Sequence, residues 1–446
     1  MTTQSAPPSL SGRIFKALAE IEPVELKAVT LSLLYGFFLF GSYSVIKPVR
    51  DTMGTVYGPT HYNQLFTMTF FGTLVLSPLY SGLAARLKLS SFLPWVYGFI
   101  ALTIFGFYLV FSGGKTDNRT LAASFYVWVS VFNLLIISVF WSFMSDLFSR
   151  TQAKRLYGLI ASGITIGGIV GPLVATALAK KVGNSGLMLI SAVGFILTAF
   201  FVVLLAREKQ RLTAIAGIET QHTTLDRRLG GSPIDGFKLL LKSPYLLLLA
   251  LFLFLMTWIS TIVYQELGDL LAKHYPSKEA RTQAYASIDL VVNWCTVFLQ
   301  LIGTGRIINR FGVTLGLLLN PIIMVFAFLG IAFSPVLLVL GGLQVVRRVA
   351  EYALAKPARE MLFTVVDQES KYKAKNVIDT VVYRGGDVCA AWAATPVLVN
   401  FGASGLAILG VVVSLIWFPV AWTLGKRYES ARAAAPAASA QVAPGH

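Results

Sequence analysis

Charge is scarce in this chain. Asp, Glu, Lys and Arg make up 13% of its 446 residues, whereas a water-soluble domain carries roughly 25%. Cysteine is nearly absent. Cys295 and Cys389 both lie in apolar segments, which excludes a disulfide or thiolate–metal framework. The four histidines, His61, His222, His274 and His446, fall in loops, at segment ends or in the tail. That leaves no buried histidine relay and no zinc set. A phosphate-cradling loop with a Walker lysine is missing, as is any Ser–His or His–Glu pair at membrane depth. No enzyme activity, metal or cofactor is therefore expected. The net charge of +16 would suggest nucleic acid in a soluble protein. Here no basic stripe is interleaved with exposed aromatics, so nucleic-acid binding is not expected.

What the chain has in quantity is apolar length. Hydrophobic residues make up 55% of it and the mean hydropathy is +0.69. A hydrocarbon core about 30 Å thick needs roughly 20 apolar residues in helix. Segments of that kind fall at about 27–47, 62–85, 91–112, 121–148, 155–179 and 185–206. A second set falls at about 244–268, 282–304, 312–333, 335–364, 375–399 and 403–425. The expected fold is an all-α membrane protein of twelve transmembrane helices in two six-helix halves, major-facilitator-like. The divisions are a cytosolic segment 1–26, a bundle 27–206, a cytosolic linker 207–243, a bundle 244–425 and a disordered Ala/Pro-rich tail 426–446. Lys and Arg concentrate in the loops on the N-terminal side, which places both termini in the cytoplasm of a multi-pass protein of the bacterial inner membrane.

Two traces support paired halves. Asp146 to Gly158 and Asp367 to Asn376 each end a helix, cross a short charged loop and restart at Ala-Lys-Arg or Ala-Lys-Asn. Parallel six-helix halves are how major-facilitator transporters are built. Gly305-Arg-Ile-Ile-Asn309-Arg310-Phe-Gly312 resembles the G-x-x-x-D-R-x-G loop of that superfamily, with Asn in place of Asp. Gly163, Gly167 and Gly171, spaced by four and followed by Pro172, line one helix face for close helix approach. The same residues form part of an antiporter-associated pattern that lacks its trailing Gly-Gly.

The few intramembrane charges gather in three places. A charge at the bilayer centre costs roughly 2.5–3.5 kcal/mol on insertion scales, so each group needs a polar reason to be there. Lys47, Arg50 and Asp51 end the first segment. The two cations are three apart and share a helix face suited to an anion with several oxygens, and Asp51 can hold Arg50 when the site is empty. Arg347, Arg348, Glu351, Lys356, Arg359 and Glu360 form the second group. There Arg347 and Arg348 are candidates for solute, Glu351 a candidate internal partner, and the deeper Lys356, Arg359 and Glu360 a gate. Asp379, Arg384 and Asp387 form the third, around Gly385-Gly386, with Arg384 facing solute and Asp387 as its partner or a proton carrier. Glu266, Asp269 and Asp289 are isolated acids, and of these Asp289 is the best candidate to carry a proton or to make a helix–helix hydrogen bond. Tyr35, Tyr43 and Trp141 can stack on a planar ligand or simply pack.

These residues resemble the ATP/ADP translocase (nucleotide transporter) family of intracellular bacteria and plastids, with its free-living bacterial relatives. The likeness lies in Lys47-Pro-Val-Arg50-Asp51, in Phe140-Trp141-Ser-Phe143, and in Ala153-Lys154-Arg155-Leu-Tyr157. It continues in Glu351-Tyr352-Ala-Leu, Pro357, Glu360-Met361, Asp367-Gln368-Glu369, Lys373-x-Lys375 and Ile378-Asp379. The resemblance implies a nucleotide exchanged across a membrane, with phosphates held by cations on the first and eleventh spans. Arg50 would fill the first role. At the second, a gapless alignment places Asp387, with Arg384 one turn earlier. The chain departs from the family where span four shows Val-Ser-Val-Phe-Asn133 instead of an acid. It departs again in span seven, where the acid's position falls near Tyr264 with Glu266 close by.

The expected function is thus secondary transport of a small anionic solute, in first place a nucleotide, by a protein that works in the lipid bilayer as a monomer. Lys47, Arg50, Arg347 and Arg384 would bind solute, and Asp51, Asp289, Glu351, Asp379 and Asp387 would gate or couple. A proton-coupled carrier of another organic anion, and a membrane sensor with a transporter-like bundle, are the rivals.

Overall fold

The computed structural model describes residues 21–84, 89–114, 117–216, 233–333, 336–366, 374–375 and 377–440. Among these, helices and turns account for the secondary structure without a strand. Asp367, Glu369 and Lys373 of the resemblance lie outside the described residues, as do His222 and His446, and nothing is described of the Lys154 and Asn309 side chains.

The helices are α1 (Leu26–Tyr57), α2 (Tyr62–Ala84), α3 (Leu89–Ser112), α4 (Arg119–Leu147), α5 (Arg150–Ala216) and α6 (Pro233–Lys242). They continue as α7 (Pro244–His274), α8 (Lys278–Leu299), α9 (Gly305–Phe333), α10 (Leu337–Ala350), α11 (Lys356–Leu362) and α12 (Tyr383–Ala440). Single π-helical turns stand at Gln300–Thr304, Glu351–Ala355 and Ile378–Val382. Capping residues set several starts. The Asn118 side chain accepts from the Leu121 amide at 3.1 Å, opening α4. Ser243, followed by Pro244, accepts from Leu246 and opens α7. Ser277 accepts from Ala280 and opens α8, with Glu279 in the first turn where the helix dipole favours an acid.

Eight helices among the described residues are long and apolar enough to cross a membrane. Two of them, within α5 and α12, are far longer than one crossing needs. Each is bent at a glycine with positive φ, Gly183 at 70° and Gly402 at 66°. Side chains rarely tolerate that conformation, so glycine marks where one straight helix gives way to the next. The bends fall where the apolar pattern was expected to pause, at 180–184 and 400–402.

The described residues divide into two compact units, one drawn from Met1–Asp51 and Gly72–Thr224, the other from Thr52–Phe71 and Leu225–His446. In the first unit α1 and α5 lie in direct backbone contact. A Cβ at Gly163 would overlap the Leu33 carbonyl, one at Gly167 the Phe37 carbonyl, and one at Gly171 would sit 2.7 Å from the Gly41 carbonyl. The glycine stripe is therefore a packing face, as its spacing indicated. Beyond it, Ser191 donates to the Ser42 carbonyl at 2.9 Å.

In the second unit the most buried span is α7, which packs along α12. Gly386 lies so close to Thr257 that any side chain there would collide with it. Phe252 meets Trp417 at 5.4 Å between ring centres. Thr52 and Thr282 share a 2.7 Å hydrogen bond, and Arg281 reaches Thr55 at 3.2 Å, which joins the last residues of α1 to α8. The stretch expected as a linker begins as the end of α5 and finishes as α6, with 217–232 outside the described residues. Past Lys426 the chain stays helical to Ala440 where a disordered tail was expected, since Ala is the strongest helix former.

Candidate functional site

In the first unit the last full turns of α1 carry the cationic cluster. The Arg50 guanidinium donates twice to Asp51 Oδ1, from Nη2 at 2.6 Å and from Nε at 3.0 Å. Its flat face lies 5.5 Å from the centre of the Tyr126 ring on α4. Asp51 is 4% exposed, while Lys47 and Arg50 are half-buried. Asp51 thus holds Arg50, the geometry its adjacency suggested. Tyr126 belongs to no motif, and its role as the ring beneath Arg50 had no signal in the sequence. α1 stays continuous through Pro48.

The three aromatics considered for stacking are engaged with other side chains. The Tyr35 and Tyr97 hydroxyls share a 2.5 Å hydrogen bond, Tyr43 packs edge-on to Phe132, and Trp141 lies 5.2 Å from Tyr157. At the other end of this unit Arg155 donates to Glu25 at 2.9 Å beside Gln152, which donates to the same oxygen. Glu208 is flanked by Lys27 and Arg211.

In the second unit each arginine of the predicted set meets an acid. Arg347 donates to Glu351 at 2.8 Å and to the Gln344 side chain at 3.2 Å, with the two ionic side chains 6% and 7% exposed. This is the i, i+4 self-neutralisation that the spacing allowed. Arg348 bonds Asp289 across α10 and α8, and its guanidinium lies 5.6 Å from the Tyr352 ring. Asp289 therefore serves as a helix–helix ion-pair partner. Lys356 stands 4.6 Å from the same Tyr352 ring. A buried pair of this kind repays its desolvation only when the geometry is good and both charges remain.

Arg384 is held more loosely. Its Nη1 is 3.4 Å from Asp387 Oδ2, its Nε makes no hydrogen bond among the described residues, and Tyr383 lies 5.9 Å beneath it. Asp387 accepts from Thr261 of α7 at 3.1 Å. The Gly385-Gly386 pair was expected to loosen the backbone here. Instead it lies inside continuous helix, because Gly386 is needed for close contact with Thr257. The irregular backbone comes just before, in the π turn Ile378–Val382. There the Tyr383 amide bonds back five residues to Ile378. π turns of this kind occur often at functional sites. Asp379, in that turn, lies 3.7 Å from Arg359, which also contacts Glu360 at 3.3 Å, and Lys375 closes on Glu360 at 2.5 Å.

Among the described residues no group of three or more His, Cys, Asp or Glu is placed to hold a metal ion. What the clusters offer is guanidinium. A guanidinium presents five N–H donors in a planar fork, and at Arg384 the Nε makes no hydrogen bond among the described residues. An oxyanion can take the remaining donors or displace the acid.

Comparison with known proteins agrees with this architecture. Residues 31–343 match the model of the Major Facilitator Superfamily. The ADP,ATP carrier protein 1 of Chlamydia trachomatis serovar D is 25% identical over 358 residues, covering 71% of this chain and 67% of the relative. In structure, a bacterial homologue of the iron transporter ferroportin, inward-facing, matches with a TM-score of 0.63 at 12% identity over 90% of this chain and 99% of that one. A bacterial homologue of the human lysosomal transporter Spinster matches with a TM-score of 0.61 at 16% identity over 92% and 99%. The chain is a multi-pass membrane transporter, and it belongs to the Major Facilitator Superfamily.

Proposed function

We propose that this protein is a secondary transporter of an anionic solute, in first place a nucleotide moved in ATP-for-ADP exchange. It crosses the bacterial inner membrane twelve times with both termini in the cytoplasm. The count follows if the bent helices α5 and α12 each cross twice and α2 and the α10–α11 pair add to the apolar spans. The binding residues are Lys47 and Arg50 in the first unit and Arg384 in the second, with Arg347 assisting. They become exposed to the two sides of the membrane in turn. Asp51 and Asp387 occupy the guanidinium groups of the empty protein and yield to phosphate oxygens. Glu351 and Asp289 neutralise Arg347 and Arg348, and Asp379 belongs to the gate with Arg359.

The observation that carries this reading is the loose hold on Arg384, whose Nη1 is 3.4 Å from Asp387 and whose Nε makes no hydrogen bond among the described residues. An arginine whose pairing leaves donors over is suited to bind and release an oxyanion. The name of the chlamydial relative supports a nucleotide. Proteoliposomes loaded with ATP, ADP or neither should take up labelled ATP fastest when a counter-nucleotide is inside. Arg50→Ala should lower that rate about a hundredfold or more, the scale of losing a charged phosphate contact worth about 3 kcal/mol. Wild-type rates in that variant would remove Arg50 from the site.

A second reading, a proton-coupled carrier of an organic anion, is favoured by one specific feature of the second unit: Glu266 on α7, 0% exposed, makes no hydrogen bond among the described residues.

A further inference from the structure

We propose that α6 is an interfacial anchor. Its Phe237–Leu241 face sinks into the bilayer beside the start of α7, and Lys238 and Lys242 hold the phosphates of anionic lipid headgroups. This is independent of which solute is carried.

The 10 residues of α6 stand one residue ahead of a helix long and apolar enough to cross the membrane. Ser243 is that residue. Its extended backbone (φ −101°, ψ 110°) breaks the helical course, so the two helices meet at an elbow. The elbow is tied on both sides. The Ser243 amide donates to the Leu239 carbonyl at 3.2 Å, and the Ser243 carbonyl accepts from the Leu247 amide at 2.9 Å. Leu240, 6% exposed, joins the same apolar core as Leu246 and Leu249 of α7. α6 is thus held against the bundle at the level where α7 begins. On α7 itself an outward apolar row starts at once, with Leu247 47% and Leu251 42% exposed.

Around α6 the side chains sort at about 100° per residue. Leu240 turns to the core. Beside it stand Phe237 and Leu241, four apart and so on one face, 40% and 71% exposed. One residue further round stand Lys238 and Lys242, again four apart and both exposed. Core contact, open apolar face and cationic flank therefore follow one another round the helix. A helix of that pattern lies in the plane of the interface, with its apolar face among the upper acyl chains and its lysines at headgroup level. The apolar medium nearest to Phe237 and Leu241 is the bilayer that α7 enters.

The lysines select the kind of lipid. Lys27, Lys209 and Lys273 each meet an acid. Lys238 and Lys242 form no ion pair among the described residues. Asp235 is the one acid within α6, and the sequence just ahead of the helix adds Arg227 and Arg228 against Asp226. A net cationic stretch at a membrane surface draws anionic headgroups.

The test uses the full chain with Cys295→Ser and Cys389→Ser, reconstituted in vesicles of phosphatidylcholine with phosphatidylglycerol. A nitroxide is placed at Leu241→Cys, at Lys238→Cys or, as the reference for a lipid-exposed span, at Leu247→Cys. Relaxation by oxygen, which concentrates in hydrocarbon, is compared with relaxation by a water-soluble nickel chelate. The Leu241 label should favour oxygen severalfold, as the Leu247 label does, while the Lys238 label favours nickel. In phosphatidylcholine alone, or with Lys238→Gln and Lys242→Gln added, the oxygen preference at Leu241 should fall severalfold. Nickel reaching Leu241 as readily as oxygen in phosphatidylglycerol vesicles overturns the anchor. A Leu241 label shielded from both reagents shows that protein covers the face, and overturns the bilayer as its occupant. A preference unchanged by headgroup charge overturns the role of the lysines.

Discussion

In the first unit the helix runs unbroken through Lys47, Arg50 and Asp51, and again through Arg155. In the second unit π turns adjoin Glu351 and Asp379 and end α8. Partners distant in sequence occur in both units. Arg50 finds its acid at the next residue and its ring on α4, and Arg155 finds Glu25 at the edge of the unit. In the second unit Arg348 reaches 59 residues away to Asp289, and Arg359 reaches Asp379 inside a π turn. A π turn inserts one extra residue and rotates everything after it by about 100° relative to the α-helical count. Lys47, Arg50, Asp51 and Arg155 of the first unit sit on regular helix, whereas Glu351 and Asp379 of the second sit in π turns, which regular spacing does not foresee. The lesson extends to the acids. Among the described residues of the second unit, three buried carboxylates are matched to arginines and Asp269 to Lys273, while Glu266 has no hydrogen-bond partner.

The largest effect should come from breaking a buried pair of the second unit. Arg348→Met leaves Asp289 buried without its arginine and should destabilise the protein by about 3–5 kcal/mol, read as a lower thermal unfolding midpoint in detergent. Adding Asp289→Leu should recover most of that loss, because two apolar residues need no partner. A single variant as stable as the wild type would show that the pair is not a structural joint. The first unit should be most sensitive at its glycine face. Gly167→Leu forces a side chain into the Phe37 carbonyl. It should cost about 1–3 kcal/mol or prevent assembly of α1 on α5, checked by unfolding midpoint and membrane expression. The smallest effect belongs to the exposed end of α12. Lys426 pairs with Glu429 at 3.4 Å with 57% of its side chain exposed. Lys426→Ala should change stability by less than about 0.5 kcal/mol and leave ATP uptake untouched. Lost transport there would show that the functional charges lie elsewhere.

Much of this was legible in the sequence, for reasons that can be named. Apolar length gave the helices, and the pauses near Gly183 and Gly402 gave their bends. Gly163, Gly167 and Gly171 announced a contact face because four-residue spacing repeats on one side of a helix. Arg347 with Glu351 and Arg50 with Asp51 were visible because local spacing brings them together. Other features were hidden because the partners are distant in the chain. Nothing at Asp289 named Arg348, nothing at Arg50 named Tyr126, and nothing at Asp387 named Thr261. The Gly385-Gly386 pair misled, since glycine serves close packing as well as loose backbone, and only the position of Thr257 decides between them. Glu266 stood out only as a lone acid. What distinguishes it, complete burial with no hydrogen-bond partner among the described residues, depends on every neighbouring helix at once.

The most direct measurement of the central claim is equilibrium binding of labelled ATP to purified wild-type protein and to Arg50→Ala and Arg384→Ala. If both arginines hold phosphate oxygens, each variant should bind about tenfold or more weakly, while Lys426→Ala binds as the wild type does. Unchanged affinity in both arginine variants would contradict the account.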